Sequence, residues 1–218
     1  MAVDEWVERL AKLDTCAVSD AQDKLGIMGT ITGIAPLYPT ERIAGRAVTV
    51  RLVTKGDREA KVHLGATAVV TADAGDVIVI DHDGRTDVAG WGGILSTAAR
   101  TKGIAGVIID GASRDVDEAR GLGLPLYGRA ATPLTARGRI IEESTNQPIE
   151  IAGVTVNPGD YVIADASGIV VVPAARVPEV VPEAERIVER ETAMAADVKA
   201  GKPVTEVMGT SYEKMLSH

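Results

Sequence analysis

The sequence contains no phenylalanine, and aromatic residues make up only 3% of its 218 positions. A core must therefore be filled by Val, Ile, Leu and Ala, which the 45% hydrophobic content permits. Cys16 is the only cysteine, which excludes an intrachain disulfide and argues against a cysteine-built metal site. No apolar run approaches the roughly 18 residues of a membrane span. The opening MAVDEWVERLAKL lacks the basic start and long apolar stretch of a signal peptide, so a cytoplasmic location and no membrane partner are expected. Positive charge is in deficit. A net charge of −8 argues against nucleic acid as the main partner, yet leaves room for an acidic metabolite held in a local arginine pocket.

Several motifs are also missing. There is no GxGxxG fingerprint, no GxxxxGK[ST] loop, no HExxH helix and no GxSxG elbow. His63, His82 and His218 are dispersed, which disfavours a histidine-built zinc site. The lack of a glycine-rich loop followed by an acidic strand end argues against a methyltransferase.

What is present reads as helices, then α/β alternation, then a β-rich stretch, then helix again. Residues 4–13 form a short helix with Val3, Trp6, Val7 and Leu10 as its apolar stripe and Asp4 as its cap. A second helix begins at Asp14-Thr15 and stops at Gly26, with Cys16 near its start as a buried thiol. Residues 29–42 read as loop, 46–54 as a half-buried strand and 61–72 as a helix. Residues 76–81, DVIVID, read as a continuous apolar strand and 82–90 as a polar loop. Further strands are expected at 124–127, 139–143, 148–156, 161–165 and 168–172, with Asn157-Pro158-Gly159-Asp160 as a turn.

From Ala174 the chain turns helical, with a kink or restart near Pro182. Val177, Val180, Ala184, Ile187, Val188, Ala195 and Val198 mark one stripe, and Glu191 falls on it. A carboxylate there has a partner or a task, or else the stripe is loose and Glu191 is solvated. A last helix is expected over 204–216. With no internal repeat, residues 1–218 read as one domain, with 174–218 as a C-terminal helical arm.

The chemistry concentrates in residues 92–118, GGILSTAARTKGIAGVIIDGASRDVDE. A Gly92-Gly93 turn opens a helix at Ile94 that Gly103 stops, leaving the N–H groups of Ile94 and Leu95 free at its tip as an anion site. A β-branched strand, 105–110, then delivers Arg114 and Asp115 at its carboxyl end, where open α/β sheets bind ligands. An arginine fork grips a carboxylate, and an adjacent Asp holds a hard cation. The pair suits a small carboxylate-bearing substrate bound to Mg²⁺ or Mn²⁺. The competing reading makes Arg114 a surface residue and Asp115 the N-cap of a helix over 116–121. Asp117 reads as an exposed helix acid. Glu118 reads either as one or as a group that reaches the cation through water. Lys102, at the far end of its helix, is poorly placed for a Schiff base.

The stretch from Trp91 to Gly128 resembles the RraA-like family, which contains the regulator of ribonuclease activity A. The same family contains the 4-hydroxy-4-methyl-2-oxoglutarate / 4-carboxy-4-hydroxy-2-oxoadipate aldolases. The family pattern is a G-D-x-L loop, a strand, then R-D; here the loop is Gly92-Gly93-Ile94-Leu95, and 20 residues lie between Gly93 and Arg114. Residues 15–21 and 159–173 extend the likeness. It implies an α/β fold, a swivelling β/β/α-type sandwich with N- and C-terminal helices, assembled as a homotrimer or homohexamer with sites between subunits. It implies a metal-dependent lyase that cleaves a 2-keto acid to pyruvate or decarboxylates oxaloacetate. By the same resemblance, Arg114 binds the substrate carboxylate or keto oxygen and Asp115 ligates Mg²⁺ or Mn²⁺. The amides of Ile94 and Leu95 hold the pyruvate carboxylate, and Glu191 of a neighbouring subunit completes the metal's water shell. The family's loop Asp is Gly93 here, which removes a candidate acid/base; Asp87, His82 and Glu118 are the groups considered in its place. A non-catalytic regulatory binding protein is the alternative implied.

Overall fold

The computed structural model describes residues 4–59 and 62–209. In chain order the first half forms α1 (Glu5–Leu10), α2 (Thr15–Lys24), β1 (Thr30–Ile31), β2 (Ala35–Pro36), β3 (Ile43–Thr54), α3 (Ala66–Thr71), β4 (Val77–Trp91), α4 (Gly93–Lys102) and β5 (Gly106–Ser113). There follow α5 (Val116–Leu122), β6 (Leu126–Gly128), β7 (Ala130–Ala131), β8 (Ile140–Thr145), β9 (Ile149–Ile151), β10 (Val154–Val156), β11 (Tyr161–Ala164), β12 (Ile169–Val172), α6 (Val177–Lys199) and α7 (Val204–Val207).

The main sheet runs β1-β12-β11-β3-β4-β5-β6-β2, with β8 added on β3 and β7 on β5. Its centre, β3 to β6, is parallel, and the flanking strands are antiparallel. Both faces of that centre are covered, which is why Val77–Ile80 can be uniformly apolar. Ile78 and Ile80 pack with Ala68, Leu95, Ala99 and Ala119 of α3, α4 and α5. Val77 and Val79 point the other way, into a β layer that includes Ile151, Val156, Val162 and Val171. The period-two alternation of β11 and β12 then serves a third cluster: Tyr161, Ile163, Val170 and Val172 face α1, α2 and α6. The result is an α/β sandwich of the β/β/α type with N- and C-terminal helices. Among the described residues no helix is long and apolar enough to cross a membrane.

Several local expectations are corrected. Residues 82–90 are not a loop but the continuation of β4, whose register with β5 shifts between Asp81 and Arg85, Arg85 and Ala89, and Ala89 and Trp91. Those irregularities erase the period-two signal, so polarity alone suggested a loop. The α3 helix is shorter than expected because it starts only at Ala66, after Gly65 in the left-handed region. Residues 148–156 are two strands, β9 and β10, joined at Ala152 (φ 47°) and Gly153 (φ 83°).

Pro182 lies within an unbroken α6. The ring removes one backbone donor, while Val180, Val181, Ala184 and Ile187 hold the turns on either side against the core. Each buried Val or Ile among them contributes on the order of 1.5–3 kcal/mol before chain entropy is counted. Cys16 is exposed, not buried, because α2 turns Thr15, Ala17 and Val18 inward. Of the expected 204–216 helix, Val204–Val207 is helical, and residues 210–216 lie outside the described residues.

Candidate functional site

Strands β4 and β5 end side by side, with Trp91 in register with Ser113. The Gly-Gly turn and the Arg-Asp pair therefore leave adjacent parallel strand ends at the same edge of the sheet. Arg114 N–H donates to the Trp91 carbonyl at 3.0 Å. A buried latch fixes the start of α4: Trp91 Nε1 donates to Ser96 Oγ at 2.9 Å, and Ser96 Oγ donates to the Gly92 carbonyl at 3.1 Å. The backbone of Gly92 passes so close to the pair that a Cβ there would lie 3.1 Å from both Arg114 Cγ and Asp115 Oδ2.

Asp115 occupies the N-cap position of α5, yet its side chain makes no capping bond to that helix. Its Oδ2 instead accepts from Gly93 N–H at 3.0 Å. The residue sits at φ 56°, ψ 38°, a left-handed conformation that Asp tolerates better than most side chains. Asp115 is thus the N-cap of α5 by position, as the competing reading has it, while its carboxylate turns to the α4 tip instead of capping α5. Arg114 Nε donates to Asp115 at 3.1 Å (Oδ2) and 3.3 Å (Oδ1), and no further hydrogen bond of this guanidinium occurs among the described residues. Both side chains remain about one-third exposed, at 38% and 34%, so their mutual attraction is screened and adds little to stability.

These groups line a cleft of about 320 Å³. Leu64, Trp91, Leu95 and Ile140 make its walls apolar, and Ile94, 81% exposed, stands at its rim. The amides of Ile94 and Leu95 lie in the first turn of α4, where no carbonyl of the helix reaches them. Two further cleft residues are His63, which the sequence offers only as one of three dispersed histidines, and Arg137. Arg137 lies in a stretch that reads only as irregular, and nothing local marks either residue.

The remaining candidates separate cleanly. Glu118 lies against Gly93: a Cβ on Gly93 would overlap Glu118 Oε2 and lie 2.5 Å from its Cδ. Asp117 is 95% exposed and pairs with Arg120, a solvated helix acid. His82 is buried with Nε2 on the Val88 carbonyl, and burial pushes its pKa down. Asp87 pairs with Arg85 at 2.8 Å, and hydrogen bonding to that guanidinium holds its carboxyl below the usual range. Neither His82 nor Asp87 lines the cleft. Lys102 donates to the carbonyls of Val69 and Val70, tying α4 to α3. Glu191 is half-buried on α6; burial, then Asp20 and Asp14, raises its pKa, and it does not line the cleft of its own chain.

The donor chemistry allows a test of metal fit. Among the described residues no three His, Cys, Asp or Glu side chains gather into a cage. A single carboxylate in an open cleft suits a cation that keeps most of its waters, as Mg²⁺ and Mn²⁺ do, and does not suit a closed zinc site.

The chain belongs to the RraA-like family (Aldolase/RraA), whose model matches residues 15–171. It is 32% identical to a Halalkalibacterium halodurans protein named "Putative 4-hydroxy-4-methyl-2-oxoglutarate aldolase", over 94% of this chain and 95% of that one. It is also 32% identical to protein DlpA of Legionella pneumophila over 80% of its own length, but spans only 28% of DlpA. Among solved structures it superposes with TM-score 0.83 and 26% identity on Streptomyces coelicolor RraAS2, covering 90% of this chain and 99% of that chain. That protein is described as an unusual member of the RNase ES inhibitor RraA family.

Proposed function

We propose that the protein is a divalent-metal-dependent lyase that releases pyruvate from a small 2-keto acid by retro-aldol cleavage, with oxaloacetate decarboxylation at the same site. The observation that supports this most is the convergence of the α4 tip with Arg114-Asp115 on one cleft, joined by the 3.0 Å bond from Gly93 to Asp115. The Ile94 and Leu95 amides hold the pyruvate carboxylate at the positive end of the helix. The outer edge of Arg114 takes the keto oxygen or the carboxylate. Asp115 holds Mg²⁺ or Mn²⁺, which when bound supplies Lewis-acid stabilisation of charge developing on the keto oxygen. As the C3–C4 bond breaks, the C4 hydroxyl gives its proton to a cleft water. The bonding electrons pass to C3, and the enolate is then protonated there. The apolar walls limit competing water and strengthen the polar contacts.

In this reading the chain works as a homotrimer or homohexamer, in which Glu191 of a neighbouring copy joins the cation's water shell. Pyruvate formation followed with lactate dehydrogenase, across a panel of 2-keto acids, tests the reading. Turnover should require Mg²⁺ or Mn²⁺, stop with EDTA and vanish in Arg114→Ala; metal-independent turnover, or full activity of that variant, contradicts it.

A second reading is favoured by the likeness to the Streptomyces protein of the RNase ES inhibitor family. Here the chain is a regulatory binding protein that acts through its surface. It predicts no turnover of any keto acid and a saturable complex with ribonuclease E; absence of that complex removes it.

A further inference from the structure

Retro-aldol cleavage releases a proton from the C4 hydroxyl, and few side chains of the cleft are able to hold it. Arginine keeps its proton in proteins, which sets aside Arg114 and Arg137. The Asp115 carboxylate already accepts from Gly93 N–H and from Arg114, and in the lyase reading it carries the cation. His82 and Asp87 do not line the cleft. His63 does, and imidazole is the side chain that gains and loses a proton near neutral pH.

The chain on either side of His63 is held in place although His63 itself is exposed. Leu64 is buried in the cluster that contains Trp91, Leu95 and Ile140. Gly65 follows in the left-handed region at φ 68°, where a Cβ would lie 2.9 Å from the Trp91 ring. Its N–H donates to Glu142 Oε2 at 2.7 Å, so a carboxylate from β8 tethers the start of α3. The His63 carbonyl accepts from Ala66 N–H at 3.1 Å. Among the described residues the imidazole has no hydrogen bond or ion pair of its own. A fixed backbone thus presents an unpartnered ring at the cleft that Arg114, Asp115 and Arg137 also line.

We infer that His63 is the proton acceptor of the cleft. Through the cleft water its ring nitrogen takes the proton that the C4 hydroxyl releases. The C3–C4 electrons remain on C3, and the imidazolium returns the proton there, which regenerates the neutral ring and gives pyruvate. The inference rests on the lyase reading, and the two fail in different measurements.

Oxaloacetate supplies the comparison. It loses CO₂ from C4 and has no hydroxyl proton to remove, so its cleavage needs no base, and C3 takes its proton from water. His63→Gln should lower kcat for retro-aldol cleavage of a 4-hydroxy-2-keto acid about 10²-fold, with oxaloacetate decarboxylation reduced less than about threefold. The residue is exposed, so Tm should stay at the wild-type value. Equal losses in both reactions, or an unchanged retro-aldol kcat, overturn the inference. Imidazole NMR gives a readout apart from turnover, with the His63 ring identified by the resonance missing from His63→Gln. Adding oxalate to the Mg²⁺-loaded protein should raise that ring's titration midpoint, because a neighbouring anion favours the imidazolium. If the wild type cleaves no 4-hydroxy-2-keto acid, the retro-aldol reading falls and the ring's response to oxalate decides this one. A raised midpoint supports His63 as the proton-exchanging group beside the bound anion, and an unchanged or lowered one overturns it.

Discussion

The backbone N–H of Gly93 donates to Oδ2 of Asp115 at 3.0 Å, joining the tip of one helix to the residue that precedes the next. The bond explains why Asp115 leaves its own helix uncapped and holds a left-handed backbone. It also fixes the carboxylate at the cleft rather than in solvent.

Asp115→Asn separates charge from shape at this position. Asn tolerates the left-handed conformation and still offers an oxygen to Gly93, so the fold should be retained by circular dichroism. Turnover should fall on the order of 10³-fold, equivalent to about 4 kcal/mol of transition-state stabilisation. Asp115→Ala should lose a further ~1 kcal/mol of stability, because Ala is strained where φ is positive. Equal thermal stability of the two variants contradicts the strain argument.

Arg114→Lys keeps the charge and discards the fork. One Arg114 edge is already committed to Asp115, so a lysine ammonium cannot both hold that carboxylate and present two parallel donors to substrate. The expected result is a loss of about 10²-fold in kcat/KM, roughly 2.7 kcal/mol. A lysine variant with near-normal kcat/KM shows that only charge matters there.

Much of this edge is legible in the sequence. The Gly92-Gly93 opening, the Gly103 stop and the Arg-Asp pair after a β-branched run are local signals, and each falls within a residue or two of its place. The extension of β4 through 82–90 was hidden, because a strand with repeated register shifts shows no clean alternation. His82 read as part of a polar loop for the same reason, although it is packed beneath Gly90 and Gly111. The partners that close the cleft, His63 and Arg137, arrive from distant segments and leave no mark in sequence spacing. Glu118 was visible as an acid, but its contact with Gly93 exists only once α4 and α5 are packed.

Arg129 Nε pairs with Asp110 Oδ1, whose other oxygen accepts from Ala152 N–H at 3.0 Å. The Asp110 side chain is only 6% exposed. Arg129→Ala strands a buried carboxylate and should cost about 3–5 kcal/mol in urea unfolding, far more than loss of an exposed pair. The double variant Arg129→Ala/Asp110→Asn should recover part of it. A cost under about 1 kcal/mol for Arg129→Ala denies the buried pair a structural role.

Glu183 joins α6 to α2 through Lys24 at 2.7 Å and also pairs with Arg186. The hydrogen bond from Lys24 outweighs burial and, with Arg186, holds the Glu183 carboxyl below its ordinary value of 4.5. A depressed folded-state pKa adds stability above the unfolded value, and that stability is lost as pH falls through the folded one. Melting temperatures should therefore drop from about pH 4.5 downward, and Glu183→Gln should flatten that part of the profile. Identical slopes in wild type and variant rule out this contribution.

The most direct test of the central claim is a crystal structure with Mn²⁺ and oxalate, a planar dianion that mimics the pyruvate enolate. The account predicts manganese on Asp115, with one oxalate carboxylate on the Ile94 and Leu95 amides and the Arg114 guanidinium within hydrogen-bond reach. Oxalate and manganese bound elsewhere, or a bare Asp115 at saturating concentrations of both, contradicts it.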